Sequence, residues 1–110
     1  MSKIINLPAN FIGEKDRARL ESFGGHTISH GRATRWHWDK DSAGDDVFEI
    51  YRGGKHETLA VRISRHRQED AFFAHDNRGY LLASGILEHV FAELDAYFIR
   101  LHGETTGSLS

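Results

Sequence analysis

The sequence predicts an α+β fold: an antiparallel β-meander of about five strands, a long C-terminal helix packed on one of its faces, and a short N-terminal helix. Three observations carry that expectation. Between residues 32 and 85 the apolar side chains recur with a period of two, interrupted by clusters of Gly, Asp and Asn. From Gly85 to His102 they recur at helical spacing, through Ile86, Leu87, Val90, Phe91, Leu94, Tyr97, Phe98 and Leu101. The chain has 110 residues, 39% of them hydrophobic and 27% charged, which leaves room for a single core.

Taken in order, Ile4, Ile5 and Leu7 begin an extended stretch that Pro8 interrupts. Glu14 to Phe23 forms the short helix, with acidic residues early and no breaker before Gly24-Gly25; its thin stripe of Ala18, Leu20 and Phe23 predicts light packing. Ala33 to Trp38 alternates, with Trp36 and Trp38 facing the core and Arg35 and His37 facing away. The turn-rich stretch 39–46 leads into Val47 to Arg52, where Phe48 and Ile50 point inward against Glu49 and Tyr51. Gly53-Gly54 turns the chain into Glu57 to Ser64, with Leu59, Val61 and Ile63 inward against Thr58, Ala60, Arg62 and Ser64. Ala71 to His75 and Tyr80 to Ala83 make the last hairpin, whose connection ends in Gly79 as a type I turn with a bulge requires. Phe72 and Phe73 are adjacent, so one of them leaves the main core, either beneath the N-terminal helix or onto a dimer surface with Tyr80 or Tyr97. Ser84 is the expected N-cap of the final helix and Gly103 its C-terminal stop. One domain over 1–103 and a flexible tail over 104–110 follow.

Composition removes several functions. With no cysteine there is no disulfide framework, no thiolate zinc site and no thiol nucleophile. The apolar runs fall far short of the roughly 20 residues that cross a bilayer, and the N-terminus lacks the apolar stretch of a secretory signal, so no membrane partner and a cytoplasmic location are expected. A net charge of −2 does not suit a general nucleic-acid binder.

Eight histidines raise metal binding, but their spacing does not gather them. His89 and Glu93 are four apart on the last helix without a third ligand nearby, and His26 and His30 lie in a Gly-rich stretch read as loop. Asp39, Asp41 and Gly44 begin like a calcium loop, yet Ala43 and Ile50 occupy its fifth and twelfth positions. His56-Glu57-Thr58 is a single copy of a motif that works as a facing pair, and Gly53-Gly54-Lys55 lacks phosphate-loop spacing. No metal and no cofactor are expected.

Charge distribution says more than any motif. Asp39, Asp41, Asp45, Asp46 and Glu49 against Lys40 make one acidic segment; Arg52, Lys55, Arg62, Arg65 and Arg67 against Glu57 make a basic one. Parity places Arg35, Tyr51 and Arg62 on the sheet face opposite the core, and Arg65, His66 and Arg67 at a strand end. Arginines beside an aromatic ring grip acidic protein surfaces, phosphate or nucleic acid by bidentate and stacking contacts. Those six residues are the candidate binding site, with a protein as the leading partner and a homodimer as a further association. The competing expectation is a small metal- or phosphate-dependent enzyme using His56, His66, His75 or His89.

The stretch from His75-Asp76-Asn77-Arg78-Gly79 through Leu82-Ala83-Ser84-Gly85-Ile86-Leu87-Glu88-His89-Val90 to Leu94-Asp95 resembles small uncharacterised proteins of bacterial mobile elements and phages. That resemblance covers the C-terminal third and assigns no residue a role. It implies a non-catalytic accessory or counter-defence protein that acts by binding.

Overall fold

The computed structural model describes residues 10–101. Helix α1 (Glu14–Ser29) leads into strands β1 (Arg35–Lys40), β2 (Asp46–Arg52), β3 (Thr58–Arg65), β4 (Phe72–His75) and β5 (Leu81–Gly85), and helix α2 (Leu87–Leu101) closes the chain. All strand pairs are antiparallel and the spatial order is β1-β2-β3-β4-β5, so the α+β meander is realised without a crossover. Strands joined by short turns pair with their sequence neighbours, because each such hairpin closes at small entropic cost.

Alternation sorts the side chains into two faces. Trp36, Trp38, Phe48, Ile50, Val61, Ile63, Phe72 and Ala74 point to one side, where Phe48, Ile50, Val61, Ile63 and Ala74 are fully buried. Both helices lie on that side. Helix α2 covers the β4–β5 end through Leu87, Val90, Leu94 and Phe98, while α1 covers β1. The rings of Phe23 and Phe91 stack across the two helices at 4.5 Å and 9°. Phe72 joins this core, and Phe73 points to the opposite face, edge-on to His66 and His75. Phe73 therefore does not lie beneath α1, which sits on the other side of the sheet.

Two local expectations are corrected. Helix α1 does not stop at Phe23: it runs through Gly24-Gly25 to Ser29, and it packs closely, with Leu20, Phe23, Gly24 and Thr27 buried. A Cβ at Gly24 would lie 2.6 Å from Trp36 Cδ1 and 2.9 Å from Phe48 Cζ, so glycine is what lets the helix axis approach the sheet. Trp38 adds to the same contact by donating its indole N–H to Glu21 Oε2 at 2.7 Å. Ser84 is not an N-cap, because it belongs to β5 and pairs with Phe73. The helix begins three residues later, at Leu87, and the Ile86 carbonyl accepts the Val90 N–H at 3.0 Å. The turn between β4 and β5 is as predicted: Gly79 has φ +88° and donates its N–H to the Asp76 carbonyl. The expected start at Ile4 to Leu7, the stop at Gly103, His102 and the 104–110 tail fall outside the described residues.

The acidic turn between β1 and β2 anchors the segment that precedes α1. Asp45 Oδ1 accepts the Asn10 N–H at 2.8 Å, and Asp46 Oδ2 accepts the Ile12 N–H at 2.9 Å. Asp46 also meets Lys40 Nζ at 2.7 Å and Arg17 at 3.3 Å. Arg67 holds Asp45 with its Nε at 3.0 Å and with a second, shorter guanidinium contact. Arg67's hydrogen bonds keep the Asp45 carboxyl below its ordinary value against the opposing effect of burial. At Asp46 burial pushes upward, but the hydrogen bonds from Lys40 and the Ile12 N–H outweigh it and hold the carboxyl low.

Both carboxyls are thus harder to protonate folded than unfolded. The stability they contribute is fully present above the unfolded value of about 3.9 and is lost as pH falls through the lower folded values. Thermal melts from pH 7 to pH 2.5 are expected to stay flat with respect to these groups down to about pH 4, then fall. Asp46→Asn should start from a lower melting temperature and show a shallower acid decline; an unchanged acid slope would remove Asp46 from this account.

Candidate functional site

The sheet face turned away from the helices carries Arg35, His37 and Asp39 from β1, Glu49 and Tyr51 from β2, Arg62 and Ser64 from β3, and Phe73 and His75 from β4. No helix of the described residues covers it. At its centre Glu49 is only 2% exposed, an unusual position for a carboxylate on a face without a covering layer. Its neighbours account for the burial. Arg62, directly opposite on β3, donates Nε at 3.0 Å and Nη2 at 2.6 Å to Oε2. The Tyr51 hydroxyl donates to Oε1 at 2.9 Å. His37, opposite on β1, places Nε2 3.4 Å from Oε1. Burial and the Glu49 contact together raise the Tyr51 phenol above its ordinary value, since losing its proton would set two negative oxygens side by side.

Beside this hub, Arg35 stacks its guanidinium 4.1 Å over the Tyr51 ring and donates Nε to Glu57 Oε1 at 2.7 Å. Thr34 donates to the other Glu57 oxygen at 2.7 Å. The hydrogen bonds from Thr34 and Arg35 hold the Glu57 carboxyl low, and the one to Glu57 raises Arg35.

Of the six residues expected at the site, the structure brings Arg35, Tyr51 and Arg62 together in this array. Arg65, His66 and Arg67 lie beyond it, around the end of β3. Arg65 donates to Asn10 Oδ1 at 3.2 Å while its carbonyl accepts the Asn10 amide at 2.7 Å. His66 Nδ1 accepts the Gln68 N–H at 3.1 Å and its ring meets the Phe73 edge. Arg67 holds Asp45. The acidic and basic segments, separate along the chain, therefore neutralise each other in space through Glu49–Arg62 and Asp45–Arg67.

Sequence reasoning puts His37 on this face and has Glu49 partly neutralising it, but names neither as a site residue. A signal was present, because both share the parity of Arg35 and Tyr51, but residue type gave no hint that Glu49 is buried. The histidines are otherwise dispersed: His56 in the β2–β3 turn, His89 exposed on α2, and His75 at the end of β4. His26 is corrected from loop to helix, while His30 is the C-cap residue just past α1, and their rings meet at 4.2 Å.

Among the described residues, His37, Asp39 and Glu49 form the one cluster with metal-ligand spacing, their donor atoms lying within 4.8 Å of one another. The donor set fits an ion poorly. Glu49 Oε2 is held by Arg62 and Oε1 by Tyr51, so a cation seated there would face a guanidinium and displace a phenol hydrogen bond. Arg62 and Tyr51 already give this carboxylate three hydrogen bonds, which suits a structural role better than taking a proton from a substrate. No family model, curated protein or solved structure matches the chain.

Proposed function

We propose that this protein is a non-catalytic binding module that uses the Arg35/Tyr51/Arg62 face to hold an acidic surface of a protein partner. One observation carries the reading. Arg35 and Arg62 are each pinned along one guanidinium edge by a carboxylate, Glu57 and Glu49, while each side chain remains 49% exposed on either side of Tyr51. A pinned arginine has already lost most of its rotamer freedom, so contact through its outward edge has less entropy left to lose. Arginine and tyrosine are also the side chains that most often dominate protein interfaces. A role as an accessory or counter-defence protein of a bacterial mobile element rests on the likeness of the 75–95 stretch alone, and a cytoplasmic location goes with that role. No helix of the described residues is long and apolar enough to cross a membrane.

Arg35→Gln/Arg62→Gln tests the reading, since glutamine still donates to Glu57 and Glu49 but removes both outward forks. Capture from the native host, read by mass spectrometry, is expected to yield a specific protein with the parent chain and at least roughly tenfold less of it with the double variant. The double variant is expected to melt lower, because buried Glu49 loses its countercharge, so capture is compared at a temperature where both proteins are folded. Equal capture by both, or no specific protein with the parent chain, overturns the proposal.

A further inference from the structure

Among the described residues seven arginines hold carboxylates: Arg17 with Asp46, Arg19 with Asp16 and Glu88, Arg32 with Asp95, Arg35 with Glu57, Arg62 with Glu49, Arg65 with Asp70 and Arg67 with Asp45. Arg52 and Arg78 form no ion pair among the described residues, and they line the same cavity. Arg52 is half-buried at the end of β2, and its Nε is buried without a hydrogen-bond partner among the described residues. A guanidinium N–H left so is destabilising unless an acceptor from outside the fold completes it. Arg78, in the β4–β5 turn, sets its guanidinium 5.5 Å from the centre of the Tyr80 ring.

The cavity between them measures about 200 Å³ and is completed by Thr58, Asn77 and Tyr97, which bring a hydroxyl, an amide and a phenol. Asp76 also lines it; its Oδ1 accepts the Arg78 N–H at 2.9 Å and the Tyr80 N–H at 3.0 Å, and Arg78 partly offsets its charge. Of the charged side chains that line the cavity, Arg52 and Arg78 outnumber Asp76; burial and Asp76 raise the Tyr97 phenol, and Arg52, Arg78 and Arg100 oppose that rise. Small-molecule pockets usually occupy about 300–1,000 Å³, so this cavity suits a compact anion or one end of a larger ligand. Arg52 also lines an adjoining cavity of about 250 Å³ walled by residues 31–34 and Gly53-Gly54, which gives a substituent somewhere to lie.

We propose that the Arg52–Arg78 cavity is a phosphate-group site, filled by free phosphate or by the phosphate end of a small monoester. The tetrahedral oxyanion would supply the acceptor that Arg52 Nε lacks and take the fork of Arg78, with Thr58, Asn77 and Tyr97 donating around it. The site lies at the turn end of the sheet, away from the Arg35/Arg62 array, and stands or falls separately from the binding face.

Amide chemical shifts of the full chain, followed during titration with inorganic phosphate and separately with glycerol 3-phosphate at constant ionic strength, test it. Saturable shifts centred on Thr58, Asn77 and Arg78 are expected with at least one ligand, and at least roughly tenfold weaker binding in Arg52→Gln and in Arg78→Gln. Arg78 is exposed in a turn, so its variant keeps the fold even where Arg52→Gln does not. Arg35→Gln/Arg62→Gln, which cripples partner capture, should bind phosphate as the parent does. Tighter binding of the ester assigns the adjoining cavity to its substituent, and equal binding assigns free phosphate. Shifts absent with both ligands up to roughly 10 mM, or undiminished in Arg78→Gln, overturn the proposal.

Discussion

Glu49→Ala is expected to lower stability by about 2–3 kcal/mol and the melting temperature by roughly 10–20 °C. The carboxylate is 2% exposed, and its removal strips acceptors from Arg62 and Tyr51 at once and opens a void in the middle of the sheet face. The loss stays below what a fully buried ion pair would give, because Arg62 is 49% exposed and regains water. Glu49→Gln should lose about 1 kcal/mol, since the carboxamide still accepts from Arg62 or Tyr51. In the alanine background a second change, Arg62→Ala, should add little, because its partner is already gone. Urea titrations of the four proteins measure all of this. A Glu49→Ala protein as stable as the parent would mean that the hub does not support the sheet, and that Arg62 needs no pinning to hold its place.

Neighbouring glycines in α1 should respond in opposite directions. In a helix interior, glycine to alanine ordinarily gains up to about 1 kcal/mol. Gly25 is exposed and a Cβ there meets nothing within 4 Å, so Gly25→Ala should realise that gain. At Gly24 the added methyl would stand 2.6 Å from Trp36 Cδ1 and 2.9 Å from both Trp36 Cγ and Phe48 Cζ, distances no real Cβ tolerates. Relieving it means moving α1 off β1 or turning Trp36 out of its place beside Phe48, an overpacking penalty of about 1–3 kcal/mol that exceeds the helical gain. Gly24→Ala is therefore expected to destabilise by about 1–2 kcal/mol and to shift tryptophan fluorescence. Stabilisation by both substitutions would refute the close approach.

Those glycines show where sequence reading ends. Two consecutive glycines look like a helix stop when propensity alone is weighed, yet the deciding contact comes from Trp36, twelve residues further on. Ser84 looks like a cap for the same reason: its hydroxyl chemistry is local, whereas its pairing with Phe73 is not. The strands and the α2 stripe were legible because their periods, two and 3.6, are properties of contiguous residues. The site was legible in half. Parity placed Arg35, Tyr51 and Arg62 on one face, but which carboxylate each arginine meets depends on register. Glu49 faces Arg62 only because Phe48 pairs with Ile63 and Ile50 with Val61. An acidic run and a basic run that seem to polarise the surface meet in space, Glu49 facing Arg62 across neighbouring strands and Asp45 meeting Arg67 beyond the strand ends. Arg65 and Arg67 were read as an outward basic edge, and they fasten the chain entering α1 instead, through Asn10 and Asp45.

The unbroken strand order has a kinetic meaning. Every sheet pairing joins elements adjacent in sequence, and each helix packs against the strand next to it in the chain. Such a chain closes only short loops as it assembles, which is the topology of a fast folder. Contacts of another kind link the first helix to the last across the whole meander, among them the Arg19–Glu88 pair and the stack of Phe23 on Phe91. Those contacts have no local precursor and must await the sheet between the helices, so the helix pair works as a clasp, fastened last and opened first.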